Sequence, residues 1–322
     1  MGVVNSFIAA NTIPAKLIGD VDVVSAVTEH KIPPVHVQIN PTNKCPFSCR
    51  YCSMANMDRG IEMSWPDIVR ATDSYIALGT RAFTITGGGD PLAYTWINDV
   101  VARLHRKGCD IGLVTNAMLF RRFDPKLIKC LTWCRVSVSD ESVRALDVLP
   151  EYLRAGTDWA FSYVLTAKPN IMNIIRVVEF ANNNHFTHVR LVDDILESGG
   201  LSRMDIARAA LAAANVDDSL VIYQGRKQYV RGHSRCMISL LKPNISADGL
   251  VVGCCGTQYA SDPPALNYTK EFSIGTISDI NDVYHNQKYF DGSACSRCYY
   301  SEYNDVLNML WDYGELKHRN FI

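Results

Sequence analysis

The chain lacks a strong net charge, since 32 basic and 33 acidic side chains leave a formal charge of −1. A near-neutral chain has no basic field to attract nucleic acid or an anionic membrane surface, so neither is an expected partner. It also lacks any run near the roughly 18–20 apolar residues that a membrane span requires. Residues 1–15 contain no Lys or Arg to open a secretory signal. We therefore expect a cytoplasmic protein.

Cysteine, in contrast, is abundant, with 11 residues. In a reducing compartment cysteines more often bind metal or carry out redox chemistry than form disulfides. Most of them fall into two groups. The first group is Cys45, Cys49 and Cys52, and the second is Cys236, Cys254, Cys255, Cys295 and Cys298. The remaining Cys109, Cys130 and Cys134 lie in apolar contexts, which we interpret as core packing.

Short β-branched runs alternate with helical patterns between residues 34 and 194. Ser64 predicts the start of one helix and Gly79 its end. The predicted helices are residues 65–78, 96–107 and 171–184, and the predicted strands are residues 35–39, 82–86, 111–115, 135–139, 160–166 and 188–192. Strands that alternate with helices imply parallel pairing. The sequence thus predicts an α/β fold, either a partial (β/α)6 TIM-like barrel or a doubly wound open sheet, because periodicity alone does not separate the two.

Beyond about residue 200 the pattern changes. A helix is predicted over residues 203–214, a β-like stretch over residues 220–223, and a helix with one apolar face over residues 304–312. Asp248-Gly249 between apolar runs predicts a small β-hairpin. We expect an N-terminal extension over residues 1–33, a parallel α/β domain over residues 34–215, and a small hairpin and helix domain over residues 216–322.

The first cysteine group has the spacing C-x₃-C-x₂-C and follows the first predicted strand. Three thiolates on one loop can hold three irons of a four-iron cluster, whereas electron-transfer clusters use four cysteines. The fourth iron is then available to bind another molecule, which favours catalysis. The alternative is a zinc site, which requires four tetrahedral ligands, and no fourth Cys or His lies nearby with suitable spacing.

The cysteine spacing, with Tyr51 directly before the third cysteine, resembles the radical S-adenosylmethionine (SAM) superfamily. The resemblance implies that Cys45, Cys49 and Cys52 hold a 4Fe-4S cluster whose open iron chelates SAM. It also implies that electron transfer from the cluster cleaves SAM to a 5′-deoxyadenosyl radical. Tyr51 is then expected beside the cofactor.

A glycine run after the second predicted strand is similar to the GGEP motif of the same family. In Gly88-Gly89-Asp90-Pro91 an Asp stands where the family usually has Glu. The resemblance implies that these residues approach the methionyl amino group of SAM. Thr115-Asn116 after the third strand resembles the family's TN(G) turn, with Ala117 where Gly is common.

Three further side chains are candidate SAM contacts. Ser137 and Ser139 stand where family members hydrogen-bond the ribose or carboxylate of SAM, although both could be ordinary strand hydroxyls. Arg190 on the sixth strand could pair with the SAM carboxylate or form a structural ion pair.

The second cysteine group resembles the twitch or SPASM extensions of radical SAM enzymes. Cys236 precedes Gly249 and Cys254, and Cys295-Ser-Arg-Cys298 follows. The resemblance implies that Cys236, Cys254, Cys295 and Cys298 ligate one auxiliary 4Fe-4S cluster, because a full SPASM domain with two clusters needs more cysteines. This favours the shorter twitch form.

Cys255 is left over from this count. Adjacent strand residues point to opposite faces, so Cys254 and Cys255 should not both face one cluster. Cys255 could be an idle thiol, could replace Cys254 as ligand, or could donate a hydrogen atom to a substrate radical. The Gly-x₄-Cys spacing favours Cys254 as the ligand.

An auxiliary cluster that accepts an electron would permit a net oxidation, which also requires a base. Asp193, Asp194 and Glu197 follow the sixth predicted strand and are candidates by position. Only 44 residues precede Cys45, too few for an independently folded leader-binding domain, so a small-molecule substrate is favoured over a peptide. The family implies a flavodoxin- or ferredoxin-like electron donor. A peptide-modifying enzyme and a non-enzymatic iron–sulfur electron carrier are the alternatives.

Overall fold

The computed structural model describes residues 13–55, 57–153, 156–194, 200–224, 230–261, 268–315 and 317. The helices are α1 (Ile13–Ile18), α2 (Val21–Thr28), α3 (Trp65–Ala77), α4 (Ile97–Arg106), α5 (Ile171–Asn183), α6 (Gly200–Ala213), α7 (Ile238–Leu241), α8 (Tyr268–Glu271), α9 (Ile280–His285) and α10 (Ser301–Trp311). The strands are β1 (His36–Ile39), β2 (Ala82–Ile85), β3 (Asp110–Thr115), β4 (Trp133–Val138), β5 (Asp158–Leu165), β6 (His188–Asp193), β7 (Val221–Gln224), β8 (Asn244–Ile245), β9 (Leu250–Val252) and β10 (Ser273–Thr276). None of the described helices is long and apolar enough to cross a membrane.

The chain divides into two compact units. The first unit contains the described residues within 40–62 and 84–228, and the second contains those within 6–39, 63–83 and 229–322. The first cysteine group lies in the first unit and the second group in the second unit. The predicted domain bounds at residues 34 and 216 stay a prediction.

The first unit is built on parallel strands in the order β3-β4-β5-β6-β7. A doubly wound sheet reverses its strand order at a switch point, whereas these strands follow one another in chain order. The predicted α/β fold with a parallel sheet is therefore confirmed, and the order agrees with a partial barrel. The β-like stretch predicted over residues 220–223 becomes β7, a further parallel strand paired with β6.

Not every connection is the α-helix that the alternation suggests. Two 3₁₀ segments, Phe120–Arg122 and Pro125–Cys130, link β3 to β4, and two more, Val143–Asp147 and Leu149–Glu151, link β4 to β5. Helix α5 links β5 to β6 and begins where the Asn170 side chain accepts from the backbone N–H of residues 172 and 173. Its apolar side then packs on the sheet, where Phe180 meets Phe161 edge to face with ring centroids 5.9 Å apart.

Strand β4 of the first unit buries alternate side chains, in agreement with period-two geometry. On β4, Cys134, Val136 and Val138 are buried, while Arg135 and Ser137 are half-buried on the other face. This second face of the sheet carries the polar residues of the candidate site. Cys130 is buried like Cys134, as predicted, whereas Cys109 is half-buried.

The second unit contains the strand order β10-β9-β8-β1. β8 pairs in parallel with β1, and β8 and β9 form an antiparallel hairpin. Gly249 has φ of +78° in the connecting turn, a conformation that favours glycine, and the predicted hairpin is confirmed. The predicted cap of α3 is also confirmed, because Ser64 accepts from Asp67 N and Gly79 has φ of +94°.

Candidate functional site

The first cysteine group lies on an irregular loop. Cys45, Cys49 and Cys52 are free, half-buried thiols. A tight turn, in which Cys52 N donates to Cys49 O at 3.1 Å, folds the loop back on itself. The nearby Cys52 thiol contributes to raising the pKa of both other thiols. The three thiols therefore lie near one another on one loop.

The loop supplies donors to its own sulfur atoms. Burial raises the pKa of Cys45, and it raises the pKa of Cys49 to about 11. Phe47 N and Asn116 Nδ2 lie 3.5 and 3.6 Å from Cys45 Sγ. Both groups can only donate, so they favour a thiolate, the form that binds metal. N–H donors at the ligand sulfurs are among the factors that tune iron–sulfur clusters, and the loop fits such a cluster.

Arg59 fixes the path of this loop from its far end. Its Nη1 donates to Phe47 O at 2.5 Å and to Cys45 O at 3.4 Å. The carbonyl groups of an irregular loop need such partners because no strand satisfies them. Sequence reasoning missed Arg59, and no motif marks it.

Tyr51 joins the cysteine loop to the end of β4. Its hydroxyl lies near the Cys49 thiol and the Ser139 side chain. Burial raises the pKa of Tyr51, so the phenol stays a donor. Its predicted contact with the cofactor stays a prediction, while the structure shows a contact with a cysteine of the first group.

The glycine run packs directly against the segment that enters the cysteine loop. Gly89 N donates to Thr42 O at 2.9 Å, and Asp90 N donates to Lys44 O at 2.8 Å. A Cβ at Gly89 would lie 2.0 Å from Lys44 O, and one at Gly88 would lie 2.2 Å from Asn43 Oδ1. Gly89 is therefore required by the close backbone approach, whereas a side chain at Gly88 would meet the Asn43 side chain.

Asp90 is a buried junction between two loops. Its carboxylate accepts from Leu92 N at 2.9 Å, from Thr115 Oγ1 at 2.8 Å and from Asn116 N at 2.7 Å. Burial raises the pKa of Asp90 even though these donors favour the charged form. Asp90 thus ties the glycine run to the predicted Thr115-Asn116 turn, and its predicted contact with SAM stays a prediction.

Asn116 is oriented by its neighbours. Its Oδ1 accepts from Met118 N at 3.1 Å, which leaves Nδ2 to face Cys45 Sγ. Ala117 in the same turn has φ of +66°, a conformation in which glycine is favoured. This explains physically why glycine suits that position.

A polar row crosses the half-buried face of the sheet. Ser137 on β4 pairs in register with Ser162 on β5, which pairs with Arg190 on β6. Arg190 Nη2 donates to Ser162 Oγ at 3.1 Å. Arg135 and Arg190 both act on buried His188, and burial with these two charges lowers its pKa to about 3. This face of the sheet is therefore electropositive.

Ser139 differs from Ser137 because it is buried in a tight turn. Its N–H donates to Ser142 Oγ at 2.9 Å, and its hydroxyl accepts from Glu141 N at 3.3 Å. The structure thus places Ser139 under Tyr51, whereas Ser137 lies in the polar row. Contacts of either serine with SAM stay predictions.

The candidate bases follow at the end of β6. Asp193 Oδ1 accepts from Arg203 Nε at 2.9 Å and lies 2.7 Å from Arg203 Nη2, with both side chains buried. Such a pair holds the carboxylate in place. Asp194 is also buried. Glu197 lies outside the described residues.

The second cysteine group lines one cavity in the second unit. Cys236, Cys254, Cys295 and Cys298 all face this cavity, together with Gly232, His233, Gly253 and Gly292. Cys255 is not among the lining residues. Burial raises the pKa of Cys236 to about 11 and that of Cys295 to about 12. In the described part of the chain, no His, Cys, Asp or Glu group is arranged to hold a single metal ion.

The cavity is assembled from distant segments of the second unit. Antiparallel bridges join Val230 to Cys298 and Cys236 to Phe290. Gly232 and Gly292 permit the approach, because a Cβ at Gly232 would lie 2.3 Å from Gly292 O. The four thiols therefore converge through tertiary contacts, and their number and burial fit a fully ligated cluster.

Cys255 is not a lining residue, although its neighbour Tyr300 is. Cys255 Sγ lies 3.3 Å from the hydroxyl oxygen of Tyr300, and Lys242 Nζ donates to the same oxygen at 3.2 Å. The Tyr300 hydroxyl can donate to the sulfur or accept from the thiol. Tyr300 and Lys242 were missed by sequence reasoning, since nothing in the sequence links them to Cys255.

Comparison with known proteins assigns a family to part of the chain. Residues 39–176 match the family model described as the Radical SAM superfamily. These residues form a radical SAM domain. The expectation of an enzyme of the radical SAM superfamily is thereby confirmed.

Curated proteins are similar in sequence to the radical SAM domain. GTP 3′,8-cyclase of Helicobacter pylori is 24% identical over 171 residues, 47% of this chain and 53% of that protein. GTP 3′,8-cyclase 2 of Pseudomonas aeruginosa is 30% identical over 114 residues, 34% of each chain. The chain thus spans about half or less of the length of these curated relatives.

A solved structure shares the fold. Streptococcus suis SuiB bound to precursor peptide SuiA has a TM-score of 0.58 with this chain, covering 94% of this chain and 80% of SuiB at 13% identity. This likeness concerns the fold alone.

Proposed function

We propose that this radical SAM enzyme removes a hydrogen atom from a small molecule and oxidises or rearranges it with the help of an auxiliary 4Fe-4S cluster. The observation that supports it best is the division of the cysteines, with three on one loop and four around a separate cavity. When bound, the first cluster and SAM supply a 5′-deoxyadenosyl radical that abstracts the hydrogen atom.

The residues of the first unit hold and orient these groups. Cys45, Cys49 and Cys52 are the proposed ligands of the first cluster. Gly88 and Gly89 bring bare backbone to the loop, which suits an approach to the methionyl end of SAM.

The polar row is the proposed seat for the rest of SAM. Ser137 offers a hydroxyl, and Arg190 offers a guanidinium, which binds carboxylates by charge-assisted hydrogen bonds. The electropositive surroundings of His188 support an anionic group at this face.

The residues of the second unit hold the auxiliary cluster. Cys236, Cys254, Cys295 and Cys298 are the proposed ligands, since all four line one cavity. A net oxidation also requires a base near the substrate. Asp193 and Asp194 are the proposed bases, and Arg203 holds Oδ1 of Asp193 in place.

The substrate is proposed to be a nucleotide or a sugar-like small molecule. The curated relatives are named for an action on GTP, which supports a nucleotide. A peptide substrate is the alternative. The electrons are proposed to come from a flavodoxin- or ferredoxin-like donor in the cytoplasm, where an iron–sulfur cluster is protected from oxidation.

The first test measures 5′-deoxyadenosine after the reduced, reconstituted protein is incubated with SAM. We expect Cys45→Ala to abolish its formation, because one ligand of the first cluster is lost. Cys109→Ala, a half-buried cysteine outside both groups, is the matched control and should retain activity. Equal yields from the parent and Cys45→Ala would contradict the proposal.

The second test measures iron and sulfide. Changing both Cys236 and Cys298 to Ala should remove about half of the iron while 5′-deoxyadenosine is still formed. An unchanged iron content would exclude a cluster at the cavity.

The substrate class is tested by adding GTP, other nucleotides or short peptides to the parent. The substrate should be the compound that is converted to a product while SAM is consumed.

A further inference from the structure

Asn304 is a fully buried amide within reach of the second cysteine group. It lies on α10 with 0% of its surface exposed. Its Nδ2 lies 3.5 Å from Cys236 Sγ, and its Oδ1 accepts from Ile238 N at 3.1 Å. A residue of this kind carries two polar groups that must both be satisfied when buried.

The orientation of this amide follows from its partners. A backbone N–H can only donate, so the contact with Ile238 requires the oxygen of Asn304 on that side. The amide NH₂ therefore faces Cys236 Sγ, and it can only donate to the sulfur. The oxygen of Asn304 caps the first turn of α7, which is an ordinary structural role. That role does not require the NH₂ group of Asn304 to face the sulfur of Cys236, a cysteine that lines the cavity.

The first unit contains the same arrangement independently. Asn116 Oδ1 accepts from Met118 N at 3.1 Å, and Nδ2 lies 3.6 Å from Cys45 Sγ. In both units, one asparagine is fixed by a backbone N–H and donates to one cysteine of the group. Asn116 is only half-buried, however. The hydrogen bond of Asn304 is therefore the less hydrated of the two, and such bonds are electrostatically stronger.

We propose that Asn304 raises the reduction potential of the auxiliary cluster by donating a hydrogen bond to the sulfur of Cys236. This inference rests on the proposed function, because it requires a cluster at the four-cysteine cavity. Reduction adds one negative charge to the cluster and its thiolates, and an N–H donor stabilises the more negative state. Loss of the donor should therefore make the cluster harder to reduce.

The test is an EPR-monitored redox titration of the full chain in which Cys45, Cys49 and Cys52 are changed to Ala, so that only the auxiliary cluster contributes. Asn304→Asp keeps the size and the oxygen that accepts from Ile238 but replaces the NH₂ group. At pH 8 we expect the equilibrium constant for reduction to fall at least about tenfold, equivalent to 59 mV for a one-electron couple. Asn304→Leu, which removes the donor without adding charge, should shift the potential in the same direction.

Asn308→Asp is the matched control. It makes the same chemical change one turn along the same helix, where Asn308 Nδ2 donates to Arg235 O and Asn304 O and contacts no cysteine. Its midpoint potential should equal that of the parent. An unchanged potential in both Asn304 variants, with iron retained, would overturn the inference, as would loss of iron in both, since Asn304 would then hold the site together without tuning it. Absence of iron from the parent cavity would instead overturn the auxiliary cluster itself.

Discussion

The two cysteine groups of this protein are built in opposite ways. The first is local, since Cys45, Cys49 and Cys52 lie on one loop and remain half-buried. The second is assembled from distant segments around a cavity, and Cys236 and Cys295 are buried. A loop with three thiols leaves a cluster open to a cofactor, whereas a closed set of four thiols suits electron transfer. The difference in construction therefore matches the difference in proposed role.

The largest expected effect on this comparison comes from substituting one glycine in each unit. Gly89→Ala would place a Cβ 2.0 Å from Lys44 O, and Gly292→Ala would place one 2.5 Å from His233 O. Because both obstacles are backbone, the local fold must move. We expect Gly89→Ala to lose the first cluster and keep the auxiliary cluster, and Gly292→Ala to do the reverse, as measured by EPR and iron content.

A third glycine provides the control for this pair. A Cβ at Gly314 meets nothing within 4 Å, so Gly314→Ala should bind iron like the parent. If Gly89→Ala and Gly292→Ala each removed both clusters, the two sites would not assemble independently, and the comparison would fail.

Asp90 provides a second test of the comparison because it stabilises the loops around the first cysteine group only. Asp90→Asn replaces an oxygen that accepts hydrogen bonds with an NH₂ group facing donors. A buried donor left unsatisfied costs about 1–3 kcal/mol, so the free energy of unfolding in urea should fall by that amount. Cofactor binding at the first site should weaken, and the auxiliary cluster should be unaffected. Asp205→Asn on the surface is the control, and an equal loss there would contradict the role of Asp90.

Each unit also contains a histidine that its surroundings hold neutral, and His188 is buried while His36 is half-buried. Burial and the charges of Arg135 and Arg190 lower the pKa of His188 to about 3, and burial with Lys242 and Lys16 lowers the pKa of His36 well below its usual value. An unfolded histidine titrates near about pH 6.5. Between these values the unfolded chain binds a proton that the folded chain does not, so stability is complete above pH 6.5 and is lost as the pH falls toward 3.

The prediction for the first unit is that His188→Gln removes the share of this acid sensitivity that His188 contributes. That share is up to about 1.4 kcal/mol of unfolding free energy for each pH unit below 6.5, so the variant should lose less than the parent, while His36 still contributes. Urea unfolding at a series of pH values measures the slope. His105→Gln, at an exposed position, should keep the slope of the parent. An identical slope in His188→Gln would show that His188 does not contribute.

The first group could be predicted from the sequence because its information is local. The cysteine spacing, the Ser64 cap and the glycine run each depend on near neighbours in the chain. The requirement for Gly89 is only partly local, since it comes from the backbone of Lys44, which the fold brings against it. Ala117 shows the same limit, because its φ of +66° is a property of the turn and not of the residue.

The surroundings of both groups could not be predicted in this way. Arg59, Asn304 and Tyr300 reach their cysteines through tertiary contacts that no spacing encodes. The Asp193–Arg203 pair joins the end of β6 to α6, and position alone suggested a base. Ser139 belongs to a tight turn that periodicity does not predict.

The smallest expected effect on the auxiliary cluster is that of substituting Cys255, the neighbour of Cys254. They are adjacent, yet Cys254 lines the cavity while Cys255 Sγ lies 3.3 Å from the Tyr300 hydroxyl. Cys255→Ser preserves a small polar group beside Tyr300, so iron content and the EPR spectrum of the auxiliary cluster should not change, whereas Cys254→Ala should lose that cluster. Loss of iron in Cys255→Ser would instead identify Cys255 as a ligand and reverse the assignment of the pair.

A second measurement tests whether Cys255 donates hydrogen to a substrate radical. If it does, Cys255→Ser should stop transfer of solvent deuterium into the product while 5′-deoxyadenosine is still formed.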